Sequence, residues 1–558
     1  MKKFIIASLF MLLLFSFNCA PKKTGDDQIA RLLPAQIDVL LKLGSIESLF
    51  TSFAVTENSI FGKPVKEVSF IESQLGFNPL KIEDLKSKGL DVEREFGIGL
   101  SDTEFKSTFG KKPPINTRGL MMIPVTSAET FLGFITDTIK KMSPETQILT
   151  IDGRTVIKPQ DEETSIIFME KNGYLIVTMD DRGGDTNPLL DAVMENKSSL
   201  YQDENYNQVT SLIQPGQGFF LYLDIQKIAD KNFDNLMAMA DDSAEQTTQM
   251  KQGLKYVKDY SGAGFTIDLE SSDFLMKSVL TVKPDAQVLK IMQGTKSNKD
   301  ILLGINKNPL LLISYALNLE EYYQTILGTL PPEEVEEFKS SLAKIKQEAG
   351  IDIENDIIQN FDGSFNLGIF DGENISMTNF NSLISIGIKD ESKVKKLIEA
   401  AISKIPAEQQ IAIQQEQVAG IDAYTISAVF FRIFLGISDN HMIFTLGQPM
   451  FEEAVKGSIS SGFLSNMDDK QLEDIFKSQS GIFYLNIDEV LKAQKNLASV
   501  LGFLSNIDQK IKDIASNFEY ILFSSGLEGS SLVSHFMVKT RFQEPFTRGI
   551  KNLISMDK

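Results

Sequence analysis

The chain has one cysteine, two histidines and no tryptophan in 558 residues, and each scarcity excludes something. Cys19 has no second thiol to pair with, so no disulfide closes a loop within the chain. His441 and His535 alone cannot supply H-E-x-x-H or any zinc site built on several histidines or cysteines. Basic residues are also in deficit: 55 Lys plus Arg stand against 75 Asp plus Glu, a formal charge of −20. Binding to a phosphate backbone depends on cations displacing counterions, so nucleic acid is excluded as a partner. After the first twenty or so residues, no apolar run approaches the roughly 18 residues that a membrane-spanning helix needs.

What is present is ordinary globular material, 42% apolar and 23% charged, with 39 Phe and 12 Tyr. The length exceeds what one hydrophobic core organises, which predicts two domains or more. Lys2 and Lys3 precede the apolar stretch Phe4 to Phe17, so residues 1–18 read as a signal peptide. Cys19 follows directly. The leader and its cysteine resemble the bacterial lipoprotein pattern, in which a lipobox ends in a cysteine that becomes the acylated N-terminus. Ser16-Phe17-Asn18 stands where that pattern usually has an aliphatic and a small residue. The resemblance implies lipidation at Cys19, with residues 19–27 as lipidated cysteine and polar tether. Eight extended residues span at most ~27 Å, so the body would stay close to its membrane. Ala20 after the cysteine, by analogy with sorting rules, points to the outer membrane of a two-membrane cell rather than the inner.

The body carries a weak internal repeat. "FLYLDIQKI" (Phe220 to Ile228) matches "IFYLNIDEV" (Ile482 to Val490), "GLDVE" (Gly89 to Glu93) matches "GIDIE" (Gly350 to Glu354), and "NGYLIVTM" (Asn172 to Met179) matches "DNHMIFTL" (Asp439 to Leu446). All three recur in one order at a spacing of roughly 260 residues, the size of a domain rather than of a solenoid unit. A strand at Leu120 to Val125 leads into helical spacing at Phe131, Ile135 and Ile139; Leu383 to Ile388 leads into Val394, Leu397, Ile398 and Ala401. Thr126 with Glu129, and Asp390, are the expected helix starts, while Asn172-Gly173 and Asp439-Asn440 are the expected hairpin turns.

Strands joined by short turns, with helices between, predict an α+β class: two tandem, internally duplicated domains, each a largely antiparallel sheet packed with helices. The expected division is 28–285 for copy 1, 286–299 for a linker, 300–545 for copy 2 and 546–558 for a C-terminal tail. The strand near "GID" and the later "FYLNID"-like strand resemble uncharacterised domain-of-unknown-function bacterial envelope proteins (DUF3352-like). That resemblance implies no activity and transfers no site residues.

Motifs that carry chemistry fail on context. Ser341 and Lys344 have S-x-x-K spacing, Ser438-Asp439-Asn440 gives S-D-N and Lys23-Thr24-Gly25 gives K-T-G, but the last lies in the tether, in the wrong order. Asp180, Asp181 and Asp185 around Gly183-Gly184 match no calcium loop and read as a solvated acidic turn. Gly262-Ala263-Gly264 and Gly110-Lys111-Lys112 are fragments of phosphate loops, and no G-x-S-x-G occurs. No catalytic residue, cofactor or metal ligand is therefore assigned, and Cys19 is the single site residue.

Three functions stay open: an interaction or structural module held to the membrane by its lipid; a carrier or chaperone for lipid or another apolar ligand in the periplasm; and a carboxylate-based hydrolase. Leu120-Met121-Met122-Ile123 and Leu236-Met237-Ala238-Met239 are the pliable segments that could line an apolar cavity, with ordinary core as the simpler reading. The expected partners are the membrane and an unknown envelope protein or apolar ligand.

Overall fold

A computed structural model describes residues 27–555 apart from 54, 57–58, 61–62, 66–67, 106–114, 159–164, 181–186, 196–197, 214–217, 242–255, 269–270, 294–298, 376–379, 405–411, 428–431, 458–461, 467–471, 474, 477–478 and 501–508. Cys19, the leader and the tether before Asp27 lie outside the described residues. The chain divides into two compact units, Met1–Val282 with Phe542–Lys558, and Lys283–Arg541.

The first unit is built on ten antiparallel strands: β1 (Ile37–Ser45), β2 (Glu95–Phe105), β3 (Ile115–Pro124), β4 (Gln147–Ile151), β5 (Arg154–Lys158), β6 (Ile166–Lys171), β7 (Tyr174–Asp180), β8 (Phe219–Leu223), β9 (Tyr260–Asp268) and β10 (Phe274–Val282). Their order across the sheet is β10-β9-β8-β1-β2-β3-β7-β6-β5-β4. The strands on either side of β1 come from distant parts of the chain, so the centre of the sheet is closed only by long connections. Asn172 and Gly173 both have positive φ, 53° and 75°, as the two-residue turn between β6 and β7 requires. Helix α1 (Ala128–Met142) starts one residue after the expected cap: Ser127 Oγ accepts from the Thr130 amide at 3.2 Å.

The second unit contains β11 (Pro309–Ala316), β12 (Phe361–Phe370), β13 (Ser382–Ile388), β14 (Ala412–Val418), β15 (Ile421–Ser427), β16 (Arg432–Ser438), β17 (His441–Leu446), β18 (Gly481–Asn486), β19 (Phe518–Glu528) and β20 (Ser531–Thr540). All pair antiparallel, in the order β20-β19-β18-β11-β12-β13-β17-β16-β15-β14. Asp390 caps helix α2 (Glu391–Ser403) as expected, accepting from the Lys393 amide at 3.0 Å. Asp439 and Asn440 turn the β16–β17 hairpin with φ of 50° and 59°.

Glycines let a short helix lie flat on each sheet. A Cβ on Gly99 of β2 would come within 3.0 Å of Leu33, which follows the helix Gln28–Leu32. A Cβ on Gly368 of β12 would come within 2.9 Å of Leu302, in the helix Asp300–Leu303.

Two expected boundaries need correction. The stretch 286–299 is not an exposed linker, because it holds a helix, Gln287–Met292, with Ala286 and Leu289 buried. The Gln287 amide donates to Glu321 Oε2 at 3.1 Å and Thr325 Oγ1 at 2.9 Å, which ties this helix into the second unit. Nor is 546–558 a free tail. Phe546–Ser555 is a helix of the first unit, with the Phe546 ring 5.3 Å from Phe274 and its amide donating to the Ser271 carbonyl at 2.9 Å.

Candidate apolar binding site

In an antiparallel sheet covered on one side, strand residues alternate between apolar inward and polar outward. The central strands of the second unit break that rule. Leu312 and Ser314 of β11, Ile482 and Tyr484 of β18, and Tyr520 and Leu522 of β19 are buried on the covered side. Their outward neighbours are also apolar: Leu311, Ile313 and Tyr315; Phe483 and Leu485; Ile521 and Phe523. Tyr315, Phe483 and Phe523 are 45%, 37% and 43% exposed.

The register places these outward residues in tracks that run across the strands. Phe536 of β20 lies opposite Phe523, Phe523 opposite Phe483, Phe483 opposite Ile313, and Ile313 opposite Leu367 of β12. A parallel track follows through Val538, Ile521, Leu485, Leu311 and Ile369. On the other flank Ser534 faces Ser525, Ser525 faces Gly481, and Tyr315 stacks on Phe365 with ring centroids 5.2 Å apart. At the β13–β17–β16 end, Val394 and Ile398 of α2 join a core with Leu435 and Met442, and Ile386 and Phe444 pack against it. The sheet face is therefore roofed by α2 at this end and, over Leu311, Leu485 and Ile369, by Ile375 together with Val490 and Ala493 of the helix Ile487–Val500, while Tyr315, Phe483 and Phe523 stay partly exposed. In the first unit Leu49, Phe50, Leu85, Phe131 and Ile135 form one core with Phe96, Met121 and Val177. Of the segments expected to line a cavity, Leu120 to Ile123 is wholly buried, with Met121 and Ile123 in this core. Leu236 to Met239 falls on the helix Ile225–Asp241, and its side chains lie outside what is described.

A polar cavity of about 550 Å³ in the second unit lies between α2 and strands β15 and β16. Each of its carboxylates has a partner. Lys395 Nζ lies 3.1 Å from Asp422 Oδ2, Tyr424 donates to Glu399 Oε1 at 3.2 Å, and Glu391 Oε1 accepts from the Asn440 amide at 3.0 Å. Burial, reinforced by Glu399, raises the Tyr424 phenol above its ordinary range, and the hydrogen bond to Asp422 raises the Lys395 ammonium. Neither shift prepares a nucleophile or a base at neutral pH.

The first unit holds buried charges. Lys42 of β1, 4% exposed, sits 3.0 Å from Asp27 Oδ1 and 3.2 Å from Glu95 Oε2, and Tyr206 donates its phenol to Asp27. Burial pulls the Lys42 ammonium down, but the two carboxylates outweigh it and leave it above its ordinary value. A second set joins Lys227 to Asp203 at 2.7 Å and Asp224 at 2.9 Å, where Asp224 also caps the helix Ile225–Asp241. These groups fasten helices to the sheet.

Of the remaining motif residues, Asn440 reaches the polar cavity through its amide on Glu391, and the others do not assemble. Ser341 lies on the helix Pro332–Ala349 with its hydroxyl donating to the Glu337 carbonyl at 3.0 Å, while Ser438 to Asn440 closes a hairpin, and Lys23 to Gly25 lies outside the described residues. His441 Nδ1 lies 2.8 Å from the Asp439 carbonyl, and His535 stands opposite Ser524 on β20. Gly262 and Gly264 are packing positions on β9: a Cβ on Gly264 would fall 2.3 Å from Val209 of the helix Glu204–Leu212. Asp180 ends β7, while Asp181, Asp185 and Gly110 to Lys112 lie outside the described residues. Among the described residues, no group of three or more His, Cys, Asp or Glu could hold a metal.

Residues 90–534 match the family described as "Protein of unknown function (DUF3352)". The chain belongs to this family. No curated protein matches it. Among solved structures, crystal form IV of TP0453 is similar at 9% identity and a TM-score of 0.22, covering 47% of this DUF3352 chain and 83% of that one. Crystal form III of TP0453 gives 9% identity, a TM-score of 0.23, and coverages of 47% and 84%.

The outward aromatic residues are the functional candidates that pattern reading missed. "LLLISY" and "IFYLN" are apolar at consecutive positions, the mark of a strand that needs cover on both faces.

Proposed function

We propose that this DUF3352 protein is a lipid-anchored envelope protein, held to a bilayer through Cys19, that binds an apolar ligand without catalysing a reaction. The observation that carries the reading is the set of three large aromatic side chains, Tyr315, Phe483 and Phe523, that stay partly exposed on the outward side of β11, β18 and β19. Clustered large aromatic residues left partly in water mark a contact surface more often than scattered single ones do. The outer membrane is the proposed location, from Ala20 beside the cysteine. The carboxylates of the polar cavity, taken up by Lys395, Tyr424 and a backbone amide, favour binding over hydrolysis.

The two units are proposed to be copies of one module. The identical strand order supports this, and so does the residue register. Leu40 faces Tyr222 and Leu312 faces Tyr484; Leu120 faces Thr178 and Leu383 faces Thr445. The matched tyrosines and threonines thus occupy the same sheet positions.

The test is twofold. Protein purified from membranes is extracted with organic solvent and the extract analysed by mass spectrometry, with native mass spectra of the intact chain alongside. Stoichiometric apolar material is expected, and its absence from both measurements would remove the ligand reading. Radiolabelled palmitate should enter the wild-type chain and not Cys19→Ser, whose release from the membrane fraction tests the anchor.

A further inference from the structure

At one end of each sheet stands a strand that, among the described residues, is paired on one side only: β4 with β5 in the first unit, and β14 with β15 in the second. Both hairpins close through a two-residue turn with positive φ, Asp152-Gly153 and Ala419-Gly420. The two free edges differ in what they present to water. On β14 the exposed residues are Ala412, Gln414, Gln415 and Gln417, and among them Glu416 is tied to Arg432 at 2.7 Å. On β4 they are Gln147, Leu149, Thr150 and Ile151, with Leu149 and Ile151 38% and 45% exposed. Natural sheets blunt their edges with charged residues or proline, which discourages pairing with another chain, and β4 has neither.

The register fixes which main-chain groups of β4 are free. The two-residue turn makes Ile151 and Arg154 a hydrogen-bonded pair, and such pairs alternate along an antiparallel ladder, so Gln147, Leu149 and Ile151 direct their amides and carbonyls to β5. Ile148 and Thr150 direct theirs away from the sheet. Two such edges related by a two-fold axis through Leu149 bring Ile148 of each copy opposite Thr150 of the other, which makes four main-chain hydrogen bonds. Leu149 then faces its own counterpart and Gln147 faces Ile151, with no charge in the contact. Moving the axis to Ile148 would set Thr150 against Thr146, whose amide already donates to the Ser143 carbonyl at 3.0 Å. Moving it to Thr150 would set Ile148 against Asp152, which lies in the turn with φ of 49°. The axis through Leu149 is the register that pairs both outward residues within the strand.

We propose that β4 is a self-pairing edge, through which two copies of this chain join strand to strand, antiparallel, with Leu149 on the two-fold axis. A second copy suits the edge better than a foreign segment does. A free peptide must be ordered along its length to gain four main-chain hydrogen bonds, whereas the β4 of another copy is already extended and held by β5. The paired edges are short, and stable interfaces bury about 1,200–2,000 Å², so the dimer is weak and depends on concentration. The proposal is independent of the apolar-ligand reading and of the anchor at Cys19.

The full chain carrying Cys19→Ser is followed by sedimentation velocity from about 5 to 300 µM, the range in which a weak dimer forms. A reversible shift from monomer to dimer is expected. Leu149→Lys and Leu149→Glu each set like charges on the axis and should weaken association about tenfold or more, while an equimolar mixture of the two should regain it. Far-UV circular dichroism should match the parent in both, because Leu149 already stands partly in water. Since Cys19 is the single native thiol, one added cysteine reports the register. Leu149→Cys should form a disulfide between copies under mild oxidation, because facing residues of a non-hydrogen-bonded pair lie about 4.5 Å apart between Cα atoms. Gln147→Cys and Ile151→Cys should cross-link when mixed and not when kept apart, and Gln415→Cys on β14 should stay unlinked. A chain that is monomeric throughout, a dimer that both charge variants leave intact, or cross-linking at Gln415→Cys equal to that at Leu149→Cys would overturn the proposal. So would a monomeric chain that binds an extended segment of another protein and loses it in Leu149→Lys, since the edge would then serve a foreign strand.

Discussion

Replacing Lys42 by methionine tests how the first unit holds its N-terminal segment. The substitution keeps length and bulk but removes the one cation between Asp27 and Glu95, whose side chains are 11% and 18% exposed. Removing one partner of a buried pair typically costs 3–5 kcal/mol, because the other is left as an uncompensated charge. Here the carboxylates keep some water, and Asp27 retains the Tyr206 phenol and the Ala30 amide at 3.1 Å. The expected loss is therefore about 2–3 kcal/mol. At about 2–4 °C per kcal/mol for a body of this size, the melting transition of the first unit should fall by about 5–10 °C. The pH dependence follows from the direction of the shift. The Lys42 ammonium is raised in the folded state, so its contribution is fully present below its ordinary value of 10.5 and is lost as pH rises through the higher folded value. The gap between wild type and Lys42→Met, measured by calorimetry from pH 7 upward, should hold steady and then narrow above that point. A second substitution, Glu95→Met, should recover part of the loss by removing a stranded charge. If Lys42→Met melts at or above the wild-type temperature at pH 7, the three-residue lock contributes nothing and the reasoning fails.

Two further outcomes follow from single positions. Burial pulls the Lys299 ammonium down to about 8 from 10.5, with Asp300 opposing weakly, so the unfolded chain binds more protons between these values and the second unit should gain stability as pH rises from 8 to 10.5. Urea titrations should show that gain in wild type and lose it in Lys299→Met; a stability that falls over this range in wild type, with the variant following in parallel, would contradict the assignment. Gly363→Ala should destabilise the second unit by about 2–4 kcal/mol, because φ is 88° and the new Cβ would lie 1.8 Å from the Leu317 carbonyl oxygen. Denaturant unfolding with an unchanged midpoint would show that the β12 bend at Gly363 relaxes without cost.

The parts of the fold legible in the sequence are those set by short-range pattern. Tyr222 and Tyr484, and Thr178 and Thr445, were matched on local strings and occupy corresponding positions in sheets of the same strand order. The Asn172-Gly173 turn and the Asp390 cap follow from residue chemistry within four positions. Gly89 and Gly350, matched as "GLDVE" and "GIDIE", both adopt positive φ, 87° and 69°, but a π-helical turn, Ile353–Ile358, separates only the second from its strand. Order across the sheet was not legible, since β1 takes β8 and β2 as neighbours through pairings far apart in sequence. The helix at 287–292 was missed because its anchors, Glu321 and Thr325, lie on another helix. Composition alone could not tell the partly exposed side from core, because Phe483 and Tyr484 are adjacent aromatic residues, one looking outward and the other buried between Phe476 and Tyr520.

The two faces of the second sheet divide polar and apolar residues against ordinary expectation, and that inversion is what supports the proposed apolar-ligand reading. On the covered face, Ser314 and Asn366 are buried and bonded to each other at 2.7 Å, with the Asn366 amide reaching Ser385 Oγ at 3.4 Å. At the matching register position of the first sheet stands Lys42, held by carboxylates. Both sheets thus place polar groups under cover, where every unpaired atom would cost free energy, while the second leaves Phe483 and Phe523 in water. Buried polar groups with matched partners fix the position of one element on another more strictly than apolar contacts can, which suits a scaffold. The exposed part of an aromatic side chain does the reverse: it contributes little to the fold and becomes favourable when covered. Under the proposed reading, the partly exposed aromatic side chains of the second sheet are the surface that a molecule from outside the chain would cover.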